Sequence, residues 1–231
     1  MTGIRTRNES LAVGFLLAVV GGFLDAYSYV GHRVFANAQT GNVVLVAVDS
    51  AAGHWRQAAL RLVPILAFVV GIAAAETLGR PRVRQWLRRP LRVALAVEIM
   101  ILAALAILPD SAPDLLVTVP ISFAAAMQFA TFRILVDTPY STVTATGNLR
   151  IMAVSAYRWM ADRDVSGRQQ AGRFAAIVAA FAGGAVLGGV TTNRFGTPAV
   201  GIAAALLVVT LVLVIAETRQ LERAAPPEPT A

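Results

Sequence analysis

The chain has 231 residues, of which 57% are hydrophobic and only 14% are charged, and its mean hydropathy is +0.66. Soluble domains carry about 25% charged residues, so this chain has too little polar surface to cover a water-soluble globule of its size. The composition excludes a disordered chain and argues against a soluble enzyme. It predicts an integral membrane protein.

The charged residues give further information on the class of protein. The formal net charge is +7, and all 20 basic residues are arginines. These arginines lie between apolar runs, where the orientation signals of membrane proteins occur, so we expect no nucleic-acid partner. The chain contains no cysteine, which excludes disulfides and thiolate metal sites.

Six long apolar runs have about the length that a membrane-crossing helix requires. The predicted spans are Leu11–Tyr29, Leu62–Leu78, Leu91–Leu108, Leu115–Phe132, Phe174–Thr192 and Pro198–Ala216. Because the runs are continuous and rich in Ala and Leu, without period-two alternation, they predict an all-α polytopic membrane protein. We expect one transmembrane domain, residues 11–218, between a cytoplasmic N-terminal tail, residues 1–10, and a disordered C-terminal tail, residues 219–231.

Two further apolar stretches are shorter and begin with polar residues: Val34–Val48, and Pro139–Leu149, which Ile151–Tyr157 follows after Arg150. Each contains the sequence T-G-N, at Thr40, Gly41 and Asn42 and again at Thr146, Gly147 and Asn148. Neither start is typical of an ordinary spanning helix. The fold prediction is therefore six spanning helices plus two short interrupted T-G-N segments.

The arginines also predict an orientation. Six of them lie in the loop from Arg80 to Arg92, which the positive-inside rule assigns to the cytoplasm, whereas the next loop holds Asp110 and Asp114. If both T-G-N segments return to the side they came from, there are six crossings and both termini are cytoplasmic. The alternative, in which both segments cross and give eight spans, weakens the arginine bias and stays open.

The two T-G-N motifs lie 106 positions apart and indicate an internal repeat. Each half, residues 11–109 and 115–218, contains a long span, a T-G-N segment and two further long spans. Three crossings per half is an odd number, so the halves must be inverted relative to each other. Many transporters share this plan and bind their solute at the repeat interface, near paired interrupted segments.

The T-G-N residues suit a helix start, because Thr and Asn favour N-caps and Gly permits unusual backbone. A helix beginning at Asn42 or Asn148 would aim free N–H groups into the protein, where they suit an anion or a polar group. The alternative is that T-G-N only caps two packed helices, since irregular backbone at depth needs hydrogen-bond partners in any case.

Ionisable residues inside spans are functional candidates by default. Asp25 is predicted to be a proton- or cation-coupling carboxylate or a group that orients a T-G-N segment; the alternative is a structural partner for an arginine or for backbone N–H groups. Glu98 is predicted to snorkel or to pair with a loop arginine, and Gln128 either lines the site or makes a helix–helix hydrogen bond. The predicted substrate-binding or coupling residues are Asp25, Thr40, Gly41, Asn42, Gln128, Thr146, Gly147 and Asn148.

Two sequence stretches carry a family resemblance. Gly21-Gly-Phe-Leu-Asp25-Ala26 followed by Phe35-Ala-Asn-Ala-Gln-Thr40-Gly-Asn42 resembles the YoaK-type family of bacterial multi-pass membrane proteins, and Tyr140-Ser-Thr-Val-Thr-Ala-Thr-Gly147 resembles it more loosely. The resemblance covers about residues 10–218. It implies about six spans in the bacterial inner membrane and no established activity.

The function predicted from these observations is a small transporter or channel-like protein that binds a small polar or anionic solute between the two T-G-N helix starts. The alternative is a non-transporting scaffold or accessory subunit. No H-E-x-x-H, G-x-S-x-G or P-loop motif occurs, so we expect neither an enzyme nor a cofactor or metal. The expected partner is the lipid bilayer, and the small-residue spacing of Gly184 and Gly188 also allows a homodimer.

Overall fold

A computed structural model describes residues 10–85 and 89–224. Residues 1–9 of the predicted N-terminal tail, residues 86–88 of the arginine loop and residues 225–231 lie outside the described residues. The elements in chain order are α1 Leu11–His32, α2 Gln39–Ala51, α3 Trp55–Gly79, α4 Pro81–Arg84, α5 Pro90–Leu105, α6 Asp114–Thr131, β1 Ile134–Leu135, β2 Thr138–Pro139, α7 Thr146–Asp162, α8 Val165–Phe195, a 3-10 turn Thr197–Ala199 and α9 Val200–Ala224. Helix α9 continues past residue 219, where the sequence predicts that the C-terminal tail begins.

Five helical runs in the described ranges are long and apolar enough to cross a membrane: α1, α3, α6, α8 and the run Thr197–Arg223 that contains α9. The predicted all-helical membrane protein is therefore found, with five spans of this length rather than six. The predicted span Leu91–Leu108 corresponds to α5, which has only 16 residues. It ends early because a turn, in which Leu108 N–H donates to Leu105 O, leads into Pro109.

Glycines bring the long helices into close contact. Helix α1 packs along α8, and α3 packs along α6. A Cβ atom placed at Gly184 of α8 would overlap the carbonyl of Val19 in α1, and one at Gly71 of α3 would overlap the carbonyl of Phe123 in α6. Only a residue without a side chain permits this backbone approach.

Two polar contacts define the ends of the bundle. His32, the last residue of α1, lies 2.7 Å from Asp114, the first residue of α6, so α1 ends where α6 begins. At the opposite end, Ser10 donates from its hydroxyl to Glu217, near the end of α9. We call these the His32 end and the Ser10 end of the bundle. At the His32 end, the Thr197 N–H donates to Asp110 at 2.7 Å and lowers the pKa of that exposed carboxyl.

After α1, residues 33–38 run back along that helix, and α2 then returns toward the His32 end. Arg61 of α3 shows this path, because it donates both to the carbonyl of Arg33 and, at 2.6 Å, to the carboxylate of Asp49. The Arg61 side chain therefore contacts the chain both where it leaves α1 and where α2 ends. We call residues 33–51 the first returning segment.

A second excursion follows α6, which runs from the His32 end toward the Ser10 end. The hairpin β1–β2 pairs Ile134 with Pro139, residues 140–145 continue from it, and α7 then leads to α8. Gln170 of α8 donates to Thr138 at 3.0 Å and accepts from Ser155 at 2.7 Å, so it holds both arms of this excursion. We call residues 140–162 the second returning segment.

The predicted helix starts at Asn42 and Asn148 are wrong by up to one turn. Helix α2 begins at Gln39 after Ala38, and α7 begins at Thr146 after Ala145; neither alanine has a side chain that could cap a helix. Both asparagines consequently lie inside the first turn, where their side chains can reach back toward the extended residues that precede the helix.

Candidate functional site

The two T-G-N asparagines make the same pair of hydrogen bonds. Asn42 accepts from the N–H of Phe35 at 2.8 Å and donates to the carbonyl of Phe35 at 2.7 Å. Asn148 accepts from the N–H of Ser141 at 3.0 Å and donates to its carbonyl at 2.6 Å. Each asparagine side chain thus pairs with both the N–H and the carbonyl of the residue seven positions earlier, as the backbone of a neighbouring β-strand would. We call these two contacts the asparagine bridges.

The other T-G-N residues do not converge on one another. Thr40, Thr146 and Gly147 are exposed on the bundle. The ring of Phe35 covers Gly41, so that an added Cβ would lie 2.8 Å from a ring carbon, whereas an added Cβ at Gly147 meets nothing within 4 Å. In this structure the T-G-N asparagines therefore hold the backbone of each returning segment, while neither helix has a side-chain cap at its start.

Asp25 stabilises the start of α2. Its Oδ1 accepts from the N–H of Asn37 at 2.8 Å and from that of Ala38 at 3.2 Å, and the carboxyl is 7% exposed. Within the described chain no arginine lies within ion-pair distance of it. Helix α2 has no side-chain cap, and the carboxylate of a different helix acts as its cap by accepting from the two N–H groups just before it, at the positive end of the helix dipole.

Removal of this cap has a predictable effect. Asp25→Leu leaves one buried and one partly buried N–H group without an acceptor, at about 1–3 kcal/mol each, so we expect the free energy of unfolding to fall by about 2–4 kcal/mol. Asp25→Asn keeps an oxygen acceptor and should lose only about 1 kcal/mol. Thermal denaturation of both variants in detergent measures the difference. If the leucine variant melts with the wild type, the cap contributes nothing.

Gly21, in the middle of α1, is where the two returning segments meet. The side chain of Asn37, from the first segment, donates to the Gly21 carbonyl at 2.7 Å. The backbone of Thr142 and Val143, from the second segment, packs against the Cα of Gly21 so closely that a Cβ there would overlap the Thr142 carbonyl. At about 1.5 Å per residue, Gly21 lies about 16 Å from the His32 end of α1.

Gln128 of α6 links the second segment to a buried carboxyl on α5. Its amide nitrogen lies 3.1 and 3.2 Å from the two carboxyl oxygens of Glu98, and its amide oxygen accepts from the Thr142 hydroxyl at 3.0 Å. This amide orientation follows from the hydrogen-bond partners, since oxygen and nitrogen are assigned by their network. Glu98 and Gln128 are each 1% exposed, and Thr142 is fully buried.

These contacts form one continuous polar group in the centre of an apolar bundle. We call it the Gly21 cluster; its members are Gly21, Asp25, Asn37, Glu98, Gln128 and Thr142. One acceptor in it, Oδ1 of Asn37, is buried and has no hydrogen-bond partner within the described chain. The same part of the chain contains no set of His, Asp and Glu side chains placed to hold a metal ion.

Of the six members of this cluster, sequence reasoning predicted two as site residues, assigned Glu98 a different partner and missed Gly21, Asn37 and Thr142. Asp25 and Gln128 were predicted as site residues because they are polar within apolar spans. Asn37 and Thr142 were missed, although both lie in the polar starts of the returning segments. Glu98 was expected to reach toward a loop arginine; it instead contacts Gln128, because its position on α5 turns it toward α6.

The fold and the cluster together define a polytopic helical membrane protein with polar groups at mid-depth. A family model described as "Protein of unknown function (DUF1275)" matches residues 13–213, and the chain belongs to that family. The YoaK-type resemblance is consistent with it. No curated protein matches the chain, and no solved structure does.

Proposed function

We propose that this protein is a small transporter, built as an inverted three-plus-three repeat, that binds a small polar solute at the Gly21 cluster. The observation that carries the proposal is the meeting of two returning segments beside Gly21, where Asn37 presents a buried acceptor without a partner in the described chain. Transporters place their sites at such paired interruptions, because unwound backbone at depth can contact a solute.

Three features support an inverted repeat. The asparagine bridges are equivalent, with the same spacing and the same atoms. The helix pairs are equivalent too, since α1 packs on α8 as α6 packs on α3, and α2 packs on α3 as α7 packs on α8. The first segment follows α1 at the His32 end and the second follows α6, which leads to the Ser10 end. In this proposal α5 is the sixth crossing, and neither returning segment crosses.

The orientation follows from the arginines. In this proposal the protein lies in the bacterial inner membrane with the Ser10 end, both termini and the Arg80–Arg92 loop in the cytoplasm. Because the chain has no cysteine, single cysteines report sidedness without background. We expect a membrane-impermeant maleimide to label Ser111→Cys in intact cells and to label Gln85→Cys only after the membrane is opened. Labelling of Gln85→Cys from outside would reverse the orientation.

The cluster favours a solute that donates hydrogen bonds. Asn37 Oδ1 is an acceptor, and Asp25 and Glu98 add two carboxyls nearby. The N–H groups of Asn37 and Ala38, just before α2, already donate to the Asp25 carboxylate, whose negative charge opposes an anion there. We therefore propose an uncharged polar or cationic solute, such as an amine or an amide.

Of the two T-G-N helix starts, that of α7 remains for an anionic solute. No side chain caps that helix, Gly147 has open space, and Arg150 is exposed one turn later. This position lies outside the Gly21 cluster. The two solute classes therefore predict that different residues affect binding.

A stabilisation screen tests the proposal. Purified full-length protein is melted with a panel of amines, amides, amino acids, nucleobases and carboxylates, since a ligand at 100 times its Kd stabilises by about 2.7 kcal/mol. Compounds that raise Tm are then tested for uptake into proteoliposomes. We expect saturable uptake of an amine or amide, at least about tenfold lower in Asn37→Ala if one hydrogen bond of about 1.4 kcal/mol is lost.

Thr210→Val is the matched control. Thr210 is as deeply buried, but its hydroxyl donates only to Leu206 O within α9, so uptake should be unchanged. Stabilisation by carboxylates alone, sensitive to Arg150→Gln and insensitive to Asn37→Ala, would move the site to the start of α7. If no compound stabilises the protein or enters the vesicles, the scaffold alternative takes the place of transport.

A further inference from the structure

The carboxyl of Glu98 is buried, at 1% exposed, and no structural role in the fold explains it. Asp25 accepts from the N–H groups just before α2, whereas Glu98 hydrogen-bonds only to the amide of Gln128 and forms no ion pair in the described part of the chain. A buried carboxylate without a cationic partner costs several kcal/mol, so its position requires a reason. A hydrophobic residue would pack in the same place.

The hydrogen-bond partners of Gln128 fix one orientation of its amide, and rotation of that amide by 180° would give a second. In the first, its nitrogen donates to both oxygens of an ionised Glu98, and its oxygen accepts from the Thr142 hydroxyl at 3.0 Å. In the second, rotated orientation, its oxygen would face Glu98, and its nitrogen would lie 3.4 Å from the carbonyl of Leu17 on α1. The second orientation needs a donor on Glu98, which only the protonated acid provides.

A proton on Glu98 therefore favours the second orientation of the Gln128 amide, because the acid O–H then has the amide oxygen as its acceptor. That orientation decides whether Thr142 donates its hydroxyl proton to Gln128 or accepts from it. Thr142 belongs to the extended arm of the second returning segment and packs against Gly21. A proton on α5 thus changes a hydrogen bond that holds the second returning segment in place.

We infer that Glu98 is the coupling residue of this protein for protons and that Gln128 transmits its protonation to the second returning segment through Thr142. The inference rests on the proposed transport function, which it extends by naming the coupling ion. The proton comes from the aqueous phase on one side, binds the Glu98 carboxylate and leaves from the carboxylic acid to the other side. No other bond is made or broken.

Most charged groups on the helices around Glu98 lie near the helix ends, and Arg92 lies six residues before Glu98 on α5. The charged residue of α6 is Asp114, the first residue of that helix, and α5 carries Arg92 near its own start. The charged residues of α3 lie near its ends, and those of α9 lie in its last turns: Arg56, Arg61 and Glu76, and Glu217, Arg219, Glu222 and Arg223. On α1, Asp25 lies two turns beyond Leu17, toward the His32 end.

Infrared difference spectroscopy on the purified full-length protein tests the proton site directly. We expect wild-type protein to show the carboxylic-acid carbonyl band of a buried group that appears as the pH is lowered. The band should be lost in Glu98→Gln and shifted in midpoint in Glu98→Asp, which keeps an ionisable group. The matched control is Glu76→Gln, because that carboxylate is exposed and lies 3.9 Å from Arg133. A band that persists in Glu98→Gln overturns the assignment.

Cysteine labelling tests the link to the second segment. Gly147→Cys adds a side chain where nothing lies within 4 Å, and Thr40→Cys places the same reporter on the first segment, which Gln128 does not contact. We expect the labelling rate at Gly147→Cys, corrected for the maleimide's own pH dependence, to change several-fold with pH, and that at Thr40→Cys to stay constant. Glu98→Gln and Gln128→Leu should each abolish the change.

Two results would overturn the inference. One is a Gly147→Cys rate whose pH dependence survives in Glu98→Gln; the other is a rate that is constant with pH in otherwise wild-type protein. Should Glu98→Gln fail to accumulate, Glu98→Asp and the wild-type infrared titration still decide between these results. Neither readout involves a solute. A pH response in a protein that moves no solute therefore contradicts the transport proposal. Solute uptake without a pH response contradicts only the inference that Glu98 couples transport to protons.

Discussion

Gly184→Ala is expected to lower the free energy of unfolding by about 3 kcal/mol or more, the upper range for overpacking. Its Cβ would overlap the carbonyl of Val19 on α1, and a backbone carbonyl cannot rotate away as a flexible side chain could. The two helices would have to separate, which reduces contacts along their whole length. Gly22 on α1 makes the same contact from the other side, against Phe181, so Gly22→Ala should behave alike.

The neighbouring glycine provides the control. Gly183 has nothing within 4 Å of an added Cβ, so Gly183→Ala should stabilise α8 by about 1 kcal/mol, the ordinary difference in helix propensity. Melting temperatures of the three variants in one detergent give the comparison. Equal melting of Gly183→Ala and Gly184→Ala would mean that α1 and α8 are not in backbone contact.

Loss of an asparagine bridge is expected to lower the free energy of unfolding by about 2–5 kcal/mol. Asn42→Leu leaves both the N–H and the carbonyl of Phe35 without a partner, and Asn148→Leu does so for Ser141; each stranded group costs about 1–3 kcal/mol. In an apolar environment no water replaces these bonds. We therefore expect both returning segments to depend on their asparagine to a similar degree.

Amide hydrogen exchange, combined with thermal melting, measures this dependence. Exchange at Phe35 should accelerate in Asn42→Leu, and exchange at Ser141 in Asn148→Leu, with little effect on the other segment. Asn193→Leu is the matched control, because Asn193 is exposed on α8. Protection of Phe35 that survives in Asn42→Leu would show that the extended arm is held by other contacts.

The positions of the spans could be predicted because length and hydropathy decide which segments cross a bilayer. The apolar run Phe174–Thr192 lies inside α8, and Leu62–Leu78 lies inside α3. Both helices begin earlier than predicted, at Val165 and Trp55, because polar residues can continue a helix beyond the hydrocarbon. Hydropathy does not register that continuation.

The candidate site was harder to predict, since it depends on how helices are placed around one another. The composition of T-G-N indicates a helix start, but the contact from Asn42 to Phe35 requires the extended path of residues 33–38. Similarly, the sequence shows that Glu98 is a charge within an apolar run. Its partner on α6 follows from the rotation of α5, which no pattern in the sequence specifies.

The pairing of α1 with α8 and of α3 with α6 has a consequence for biosynthesis. Each half of the chain supplies one helix to a pair whose partner belongs to the other half. As the ribosome delivers the N-terminal half, Asp25 and Asn42 can already shape the first returning segment, since their partners are close in sequence. The face of α1 that carries Gly22 and packs on α8, however, stays in contact with lipid until α8 emerges. The first half is thus an assembly intermediate that waits for the second, and two separately expressed halves should be stable only when they are produced together.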